Sequence, residues 1–250
     1  MTQSSGRAVL VTGASRGIGR AIAKAFAANG DRVAVNYHTS GKLAEDLIRE
    51  FPGDGHLAVQ ADVADPEAVE RLVETTASAF GGIDVLVNNA GIFTDAPVLS
   101  ASYKQWQEAW RAEVEVNLLG SANVTWCAVR HMGPGGRIIN LSSRGAYRGE
   151  INSSGGAASK AGLTAMGQTL ALELGPRGIA VAAVAPGWVE TEMTQPYLTG
   201  PDSDEIMAQS PFGRVARPDE VASAVLYLAS PAAEWASGSV LHLNGASYLH

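Results

Sequence analysis

Short runs of β-branched and aliphatic residues alternate with longer amphipathic stretches along the whole chain. Residues 8–12, 32–36, Leu57–Gln60, Val85–Asn88, Arg137–Leu141, 179–185 and Val240–Leu243 are apolar without strict alternation, the pattern of strands buried on both faces. The clearest helical period is Pro66–Phe80. Asp65 is placed to cap it, Pro66 suits its first turn, and Val69, Leu72, Val73, Thr76 and Phe80 share one face before Gly81-Gly82 ends it. A longer helix is expected over residues 105–132, with Trp106, Trp110 and Trp126 along it as core or subunit contacts. Repeated strand–helix–strand units imply right-handed crossovers and a parallel sheet with helices on both faces. No linker, repeat or low-complexity segment divides residues 1–250, so a single domain is expected. One irregular stretch, 190–213, is rich in Thr, Pro, Ser and Asp and follows a strand end. It reads as a mobile lid over a site or as a plain surface loop.

Composition narrows the function. With 250 residues, 46% of them hydrophobic, and 28 glycines, the chain can bury a large core and still make many tight turns. A net charge of -7 without a basic stripe gives no reason to expect nucleic acid. The single cysteine, Cys127, excludes an internal disulfide and a Cys-rich zinc site; its apolar neighbours read as those of a core thiol, and no metal centre is expected. Residues 1–8 lack the basic start and apolar run of a signal peptide, and no apolar stretch is long enough to span a bilayer. A cytoplasmic location without membrane contact is the expectation.

The first strand runs directly into Gly13-Ala14-Ser15-Arg16-Gly17-Ile18-Gly19, and a helix follows from Arg20. Glycines at such a turn let the backbone bend sharply and bring a helix N-terminus against a pyrophosphate. A bare tight turn has the same local appearance; the surrounding strand–loop–helix favours nucleotide binding.

Here the chain resembles the short-chain dehydrogenase/reductase family over nearly its full length. Asp62-Val63 is similar to the family's adenine-contacting pair, and Asn88-Asn89-Ala90-Gly91 to its signature after the fourth strand. Asn117 matches the catalytic asparagine. Ser143 and Lys160 match the serine and lysine, and Pro186-Gly187 with Thr191 matches the turn and hydroxyl that grip the nicotinamide end. The run Leu241-His242-Leu243-Asn244-Gly245-Ala246 is similar to the C-terminal strand of 3-oxoacyl-acyl-carrier-protein reductases. The resemblance implies a Rossmann-type, doubly wound, parallel seven-stranded α/β sheet. It also implies a cofactor held by Gly13, Ser15, Arg16, Ile18, Gly19, Tyr37, His38, Asp62, Val63, Asn89, Ala90, Gly91, Lys160, Pro186, Gly187 and Thr191. Where the family's NAD-selecting acid falls, this chain has Tyr37; Arg16, with His38, Ser40 and Lys42, offers donors to a 2′-phosphate. NADP is therefore expected over NAD, although Arg16 also reads as a solvated side chain. The family assembles through the two helices that here carry Asn117 and Lys160, which implies a homodimer or homotetramer.

The resemblance fails at one position. The family's proton-donating tyrosine stands four residues before the lysine, and there this chain has Gly156. Asn117, Ser143 and Lys160 remain as the expected catalytic residues, and loss of the phenol is expected to leave a space of its own size. Tyr147 lies only four residues past Ser143 and is expected in the substrate pocket with Phe93, Trp188 and Met193. Three functions stay open. One is an NADP-dependent carbonyl reductase or alcohol dehydrogenase in which Ser143, water held by Asn117 and Lys160, or a substrate hydroxyl supplies the proton. The second is a dehydratase, isomerase or cyclase on the same scaffold, and the third a redox-silent nucleotide-binding subunit.

Overall fold

A computed structural model of the protein describes residues 6–249; residues 1–5 of the segment read for a signal peptide, and His250, lie outside it. The strands are β1 (Ala8–Val11), β2 (Arg32–Tyr37), β3 (Leu57–Gln60), β4 (Val85–Asn88), β5 (Arg137–Leu141), β6 (Ala180–Pro186) and β7 (Val240–Leu243). Between them come α1 (Gly17–Ala28), α2 (Gly41–Arg49), α3 (Pro66–Phe80), α4 (Tyr103–Val114), α5 (Ser121–Ala128), α6 (Gly145–Arg148) and α7 (Ser154–Leu174). After β6 follow α8 (Gln195–Leu198), α9 (Ser203–Ala208) and α10 (Pro218–Leu228). All seven strands pair in parallel in the order β3-β2-β1-β4-β5-β6-β7, the doubly wound sheet expected.

Continuous apolar strands are required because both faces of the sheet are covered. Val9, Val11, Val33, Val35, Val85 and Val87 pack with Ile22 and Phe26 of α1, Leu47 of α2 and Val225 of α10. The alternate residues, Leu10, Ala34, Leu86, Ile138 and Val181, meet Leu72 and Val73 of α3, Val124 of α5 and Leu174 of α7 on the other side.

Local chemistry sets most boundaries. The Asp65 side chain accepts from Glu67 N and Ala68 N at the start of α3, and Gly81, at φ 81°, turns the chain out of it. Residues 105–132 do not form one helix. A Ser102–Gln105 capping box starts α4 earlier, a π-helical turn at Glu115–Gly120 interrupts it, and α5 ends at Ala128. Trp126 is exposed at 61% and so is no core residue, whereas Trp106 and Trp110 are half-buried with ring centroids 5.4 Å apart. Cys127 is half-buried against the core beside α3, and burial raises its thiol above the ordinary value, as suits an unreactive side chain. Among the described residues, no helix is long and apolar enough to cross a membrane and no cluster of His, Cys, Asp and Glu could hold a metal ion.

Candidate active site

The strand order reverses between β1 and β4, and a cleft of about 510 Å³ opens there at the carboxyl ends of the strands. Its floor is the glycine turn after β1. Gly13 has φ 61°, and a β-carbon on it would lie 2.8 Å from Ala90 Cα. A β-carbon on Gly19 would stand 2.4 Å from Asn89 Nδ2, so neither position admits a side chain without displacing the turn. Asn36 Oδ1 accepts from Gly13 N at 3.1 Å, and Asn89 Nδ2 donates to Thr12 O and Gly13 O. The loop is thereby tied to β2 and β4. The first turn of α1 has neither a side-chain cap nor an acidic residue, which leaves its amides facing the cleft.

Ser15, Arg16, Ile18, Tyr37, His38, Asp62 and Val63 line the same cleft around the ends of β2 and β3. Arg16 is exposed at its mouth, and His38 Nε2 stands 3.6 Å from Asp62 Oδ2. Ser40 belongs to this wall. Lys42, expected as a further donor, does not.

Asn89, Ala90, Gly91, Asn117, Ser143, Lys160, Pro186, Gly187 and Thr191 line the cleft's other half, so apart from Lys42 the residues anticipated for cofactor and chemistry border one space. Asn117 sits in the π-helical turn, where its Oδ1 accepts from Ile92 N at 2.8 Å and its Nδ2 donates to Ile92 O and Ser159 Oγ. Asn117 Oδ1 and Lys160 Nζ lie 3.2 and 3.3 Å from the point where Gly91 would carry a β-carbon. Lys160 Nζ donates to Leu141 O at 2.7 Å, and burial lowers its amine from 10.5 to about 8. Ser143 Oγ accepts from Gly145 N at 3.0 Å. Glu150 also borders the cleft. Its Oε2 and Ser143 Oγ both lie 3.3 Å from one point beside Gly145, and burial raises its carboxyl despite Arg144 and Arg148.

Gly156 lines the cleft one helical turn before Lys160 on α7, but it opens no phenol-sized space. A β-carbon at residue 156 would stand 2.4 Å from Ser153 Oγ and 2.9 Å from Glu113 Oε1. Glu113 is 1% exposed; its Oε1 accepts from Ser153 Oγ at 2.9 Å and from Thr94 N at 3.0 Å. The paired glycines before Ala157 thus admit a buried carboxylate from α4. Two further expectations are corrected. Tyr147 does not border the cleft but packs edge-on against His242 of β7, with centroids 4.6 Å apart. Trp188 lines a neighbouring cavity instead, while Phe93 and Met193 do reach the cleft.

Sequence reasoning passed over Glu113, Ser153, Glu150 and Asn36. For Asn36 a signal existed, a lone amide following the Val-Ala-Val run of a strand. The irregular stretch 190–213 divides between two places: Thr191 to Thr194 border the cleft, and Ile206 to Phe212 contribute to the neighbouring cavity. Tyr197 in α8 donates to Asp95 Oδ2 at 2.6 Å, and burial and that carboxylate push its phenol up to about 12.

A family model described as enoyl-(acyl carrier protein) reductase matches residues 13–246. A 3-oxoacyl-[acyl-carrier-protein] reductase from Synechocystis sp. is 39% identical, the match covering 98% of both chains. A short-chain dehydrogenase from Burkholderia cenocepacia, solved in complex with NADP, is 38% identical with a TM-score of 0.90, over 97% of this chain and 98% of that one. A glucose/ribitol dehydrogenase-type structure from Brucella melitensis is 32% identical with a TM-score of 0.91, over 98% and 97%. Extended likeness of this kind, in sequence and in backbone, goes well beyond a shared glycine turn: the chain belongs to the short-chain dehydrogenase/reductase family and is similar to its 3-oxoacyl-acyl-carrier-protein reductase members.

Proposed function

We propose that the protein is an NADP(H)-dependent oxidoreductase that interconverts a carbonyl and an alcohol on a small molecule, its proton carried by groups other than the family's tyrosine. One observation carries this reading: the glycine turn and uncapped α1 share a single cleft with Ser143, Lys160 and Asn117. The cradle fits a dinucleotide, since Gly13 and Gly19 keep side chains out of the turn and the α1 amides favour anionic phosphate. Arg16 at the mouth, and Tyr37 in place of an acid, favour the 2′-phosphorylated form, as does the NADP held by the Burkholderia cenocepacia relative.

When bound, the reduced nicotinamide supplies hydride to the carbonyl carbon. The chain's task is then to place a proton on the oxygen. Ser143 Oγ, already accepting the Gly145 amide, keeps its own hydrogen for that oxygen. Glu150 beside it has its carboxyl raised by burial and so holds a proton more readily than an exposed glutamate. Lys160, near 8, exchanges protons at ordinary pH, and Asn117 Oδ1 beside it can anchor a connecting water. Thr191 to Thr194 act as the inner edge of a lid formed by 190–213. Apolar surface at Leu119, Trp126 and Leu172, 47%, 61% and 81% exposed, supports assembly through α5 and α7 as a homodimer or homotetramer.

A second reading, acid–base chemistry without net redox, draws support from the juxtaposition of Glu150 with Ser143 and of Lys160 with Asn117. NADPH oxidation against a panel of ketones and 3-oxoacyl thioesters separates the two. Turnover that falls sharply in both Ser143→Ala and Lys160→Met supports the redox function. Tight NADPH binding without oxidation of any substrate sinks it and favours the non-redox reading.

A further inference from the structure

Reduction of a carbonyl requires one group to give up a proton beside the oxygen that Ser143 meets, and few side chains of the cleft are placed to do so. Tyr37, His38 and Asp62 stand around the ends of β2 and β3, at the far half. Glu192 Oε2 lies 3.6 Å from the point where Gly17 would carry a β-carbon, beside the start of α1. Lys160 Nζ already donates to Leu141 O. Glu113, 1% exposed, does not border the cleft, and neither does Tyr197, whose hydroxyl is given to Asp95. Glu150 remains.

Its position follows from two glycines. Gly149, at φ 79°, turns the chain after α6, and Gly145 has no side chain to obstruct what comes back. Glu150 Cβ, Glu150 Oε2 and Ser143 Oγ all lie 3.3 Å from the point where a Gly145 β-carbon would stand. The two oxygens are therefore no farther apart than twice that distance. They make no hydrogen bond to each other, and one further oxygen fits between them with bonds of about 2.5–3.0 Å to each. Neither carboxyl oxygen of Glu150 accepts a hydrogen bond among the described residues, yet neither is a buried unpartnered atom, so both keep accessible surface. Arg144 and Arg148 are the charges that bear on this carboxyl. Burial outweighs them and raises it, so the group carries a proton at higher pH than an exposed glutamate does.

We propose that Glu150 is the catalytic acid of this site, its carboxyl and the Ser143 hydroxyl bracketing the carbonyl oxygen of the substrate. As hydride from the reduced nicotinamide bonds to the carbonyl carbon, the C=O π pair moves onto oxygen. The O–H bond of Glu150 breaks and its proton goes to that oxygen, completing the alcohol. The carboxylate left behind lies near Arg144 and Arg148 and regains a proton from water. This inference rests on the redox reading and names its proton donor.

The test compares NADPH oxidation, with the ketone that the unaltered protein turns over fastest, in Glu150→Gln and Glu150→Asp. Glu150→Gln, equal in size but without an acid proton, is expected to lower kcat roughly hundred- to ten-thousandfold while the Kd for NADPH stays unchanged. Glu150→Asp, its acid drawn back by one methylene, should fall between, and it serves if Glu150→Gln does not fold. Reduction by the unaltered protein should decline as pH rises through the ionisation of Glu150. The residual rate of Glu150→Gln should lack that decline and stay level up to the Lys160 ionisation near 8. In cofactor-free protein with ¹³C-labelled glutamate carboxyls, the signal lost in Glu150→Gln should titrate above those of exposed glutamates. A Glu150→Gln variant that keeps its kcat, or changes only KM, overturns the role, as does a Glu150 signal that titrates with the exposed ones. An unaltered protein that reduces no ketone defeats the redox reading itself and this role with it.

Discussion

Glu113 Oε1 lies 2.9 Å from the point where residue 156 would project a β-carbon, and the same oxygen accepts the Ser153 hydroxyl at 2.9 Å. Gly156 is therefore packed against a buried acid. Placing a tyrosine at residue 156 is a packing problem before it is a chemical one. Gly156→Tyr is expected to lose about 1–3 kcal/mol of stability through overpacking. Adding Ser153→Gly removes the nearest clash, and a double-mutant cycle by urea unfolding should show favourable coupling of at least about 0.5 kcal/mol. Simple additivity would mean that residue 156 and Ser153 do not compete for space.

The carboxylate itself is structural support for the loop after β4. Glu113→Ala strands the Thr94 amide and the Ser153 hydroxyl, at a cost of about 1–3 kcal/mol. Glu113→Gln keeps the Oε1 acceptor that serves both of them and should lose clearly less. Equal losses in the two variants, read from chemical unfolding, would remove the hydrogen bonds as the cause.

Lys160 makes stability depend on alkaline pH. Its folded value of about 8 lies below the ordinary 10.5, so between those limits the unfolded chain binds the extra proton. Unfolding free energy from this group then rises with pH from about 8 to 10.5, and the burden of the buried charge is fully present below 8. Its size is about 1–3 kcal/mol. Lys160→Met should flatten that slope. A pH dependence that persists unchanged in the variant assigns the titration elsewhere.

Cofactor choice is expected to rest on Arg16. Arg16→Ala should weaken NADPH binding roughly tenfold or more while leaving NADH nearly unaffected, as calorimetry can measure. Tighter binding of NADH than NADPH by the unaltered protein would reverse the assignment.

The glycine turn gives the sharpest binding test. Gly19→Ala places a methyl group against Asn89 Nδ2 and Gly13 O, 2.4 and 2.5 Å from the new carbon. Both dinucleotides should lose affinity together, by about tenfold or more, with far-ultraviolet circular dichroism unchanged. Full retention of binding would show that the turn adjusts freely.

Read along the chain, the strand series, the Asp65-capped α3 and the glycine turn are all legible, because apolar period, capping and turn chemistry act within a few neighbouring residues. Part of the cleft was legible for a related reason: Gly13, Asn89, Ala90, Ser143 and Gly187 stand just after a strand's carboxyl end, and a parallel sheet gathers those ends on one edge, whereas Asn117 and Lys160 lie in helices and were legible only through the family resemblance. The π-helical turn around Asn117 left no trace in the periodicity, since one extra residue per turn looks like a slight phase drift. Tertiary packing alone decided that Glu113 meets Ser153, forty residues away, and fills the place beside Gly156. It alone sent Tyr147 to β7 and buried Arg144 beside Trp188 and Gln209. Which side chain enters a gap depends on how distant helices seat against the sheet, and that choice is made by the volume and polarity of the whole neighbourhood, which no local window of sequence contains.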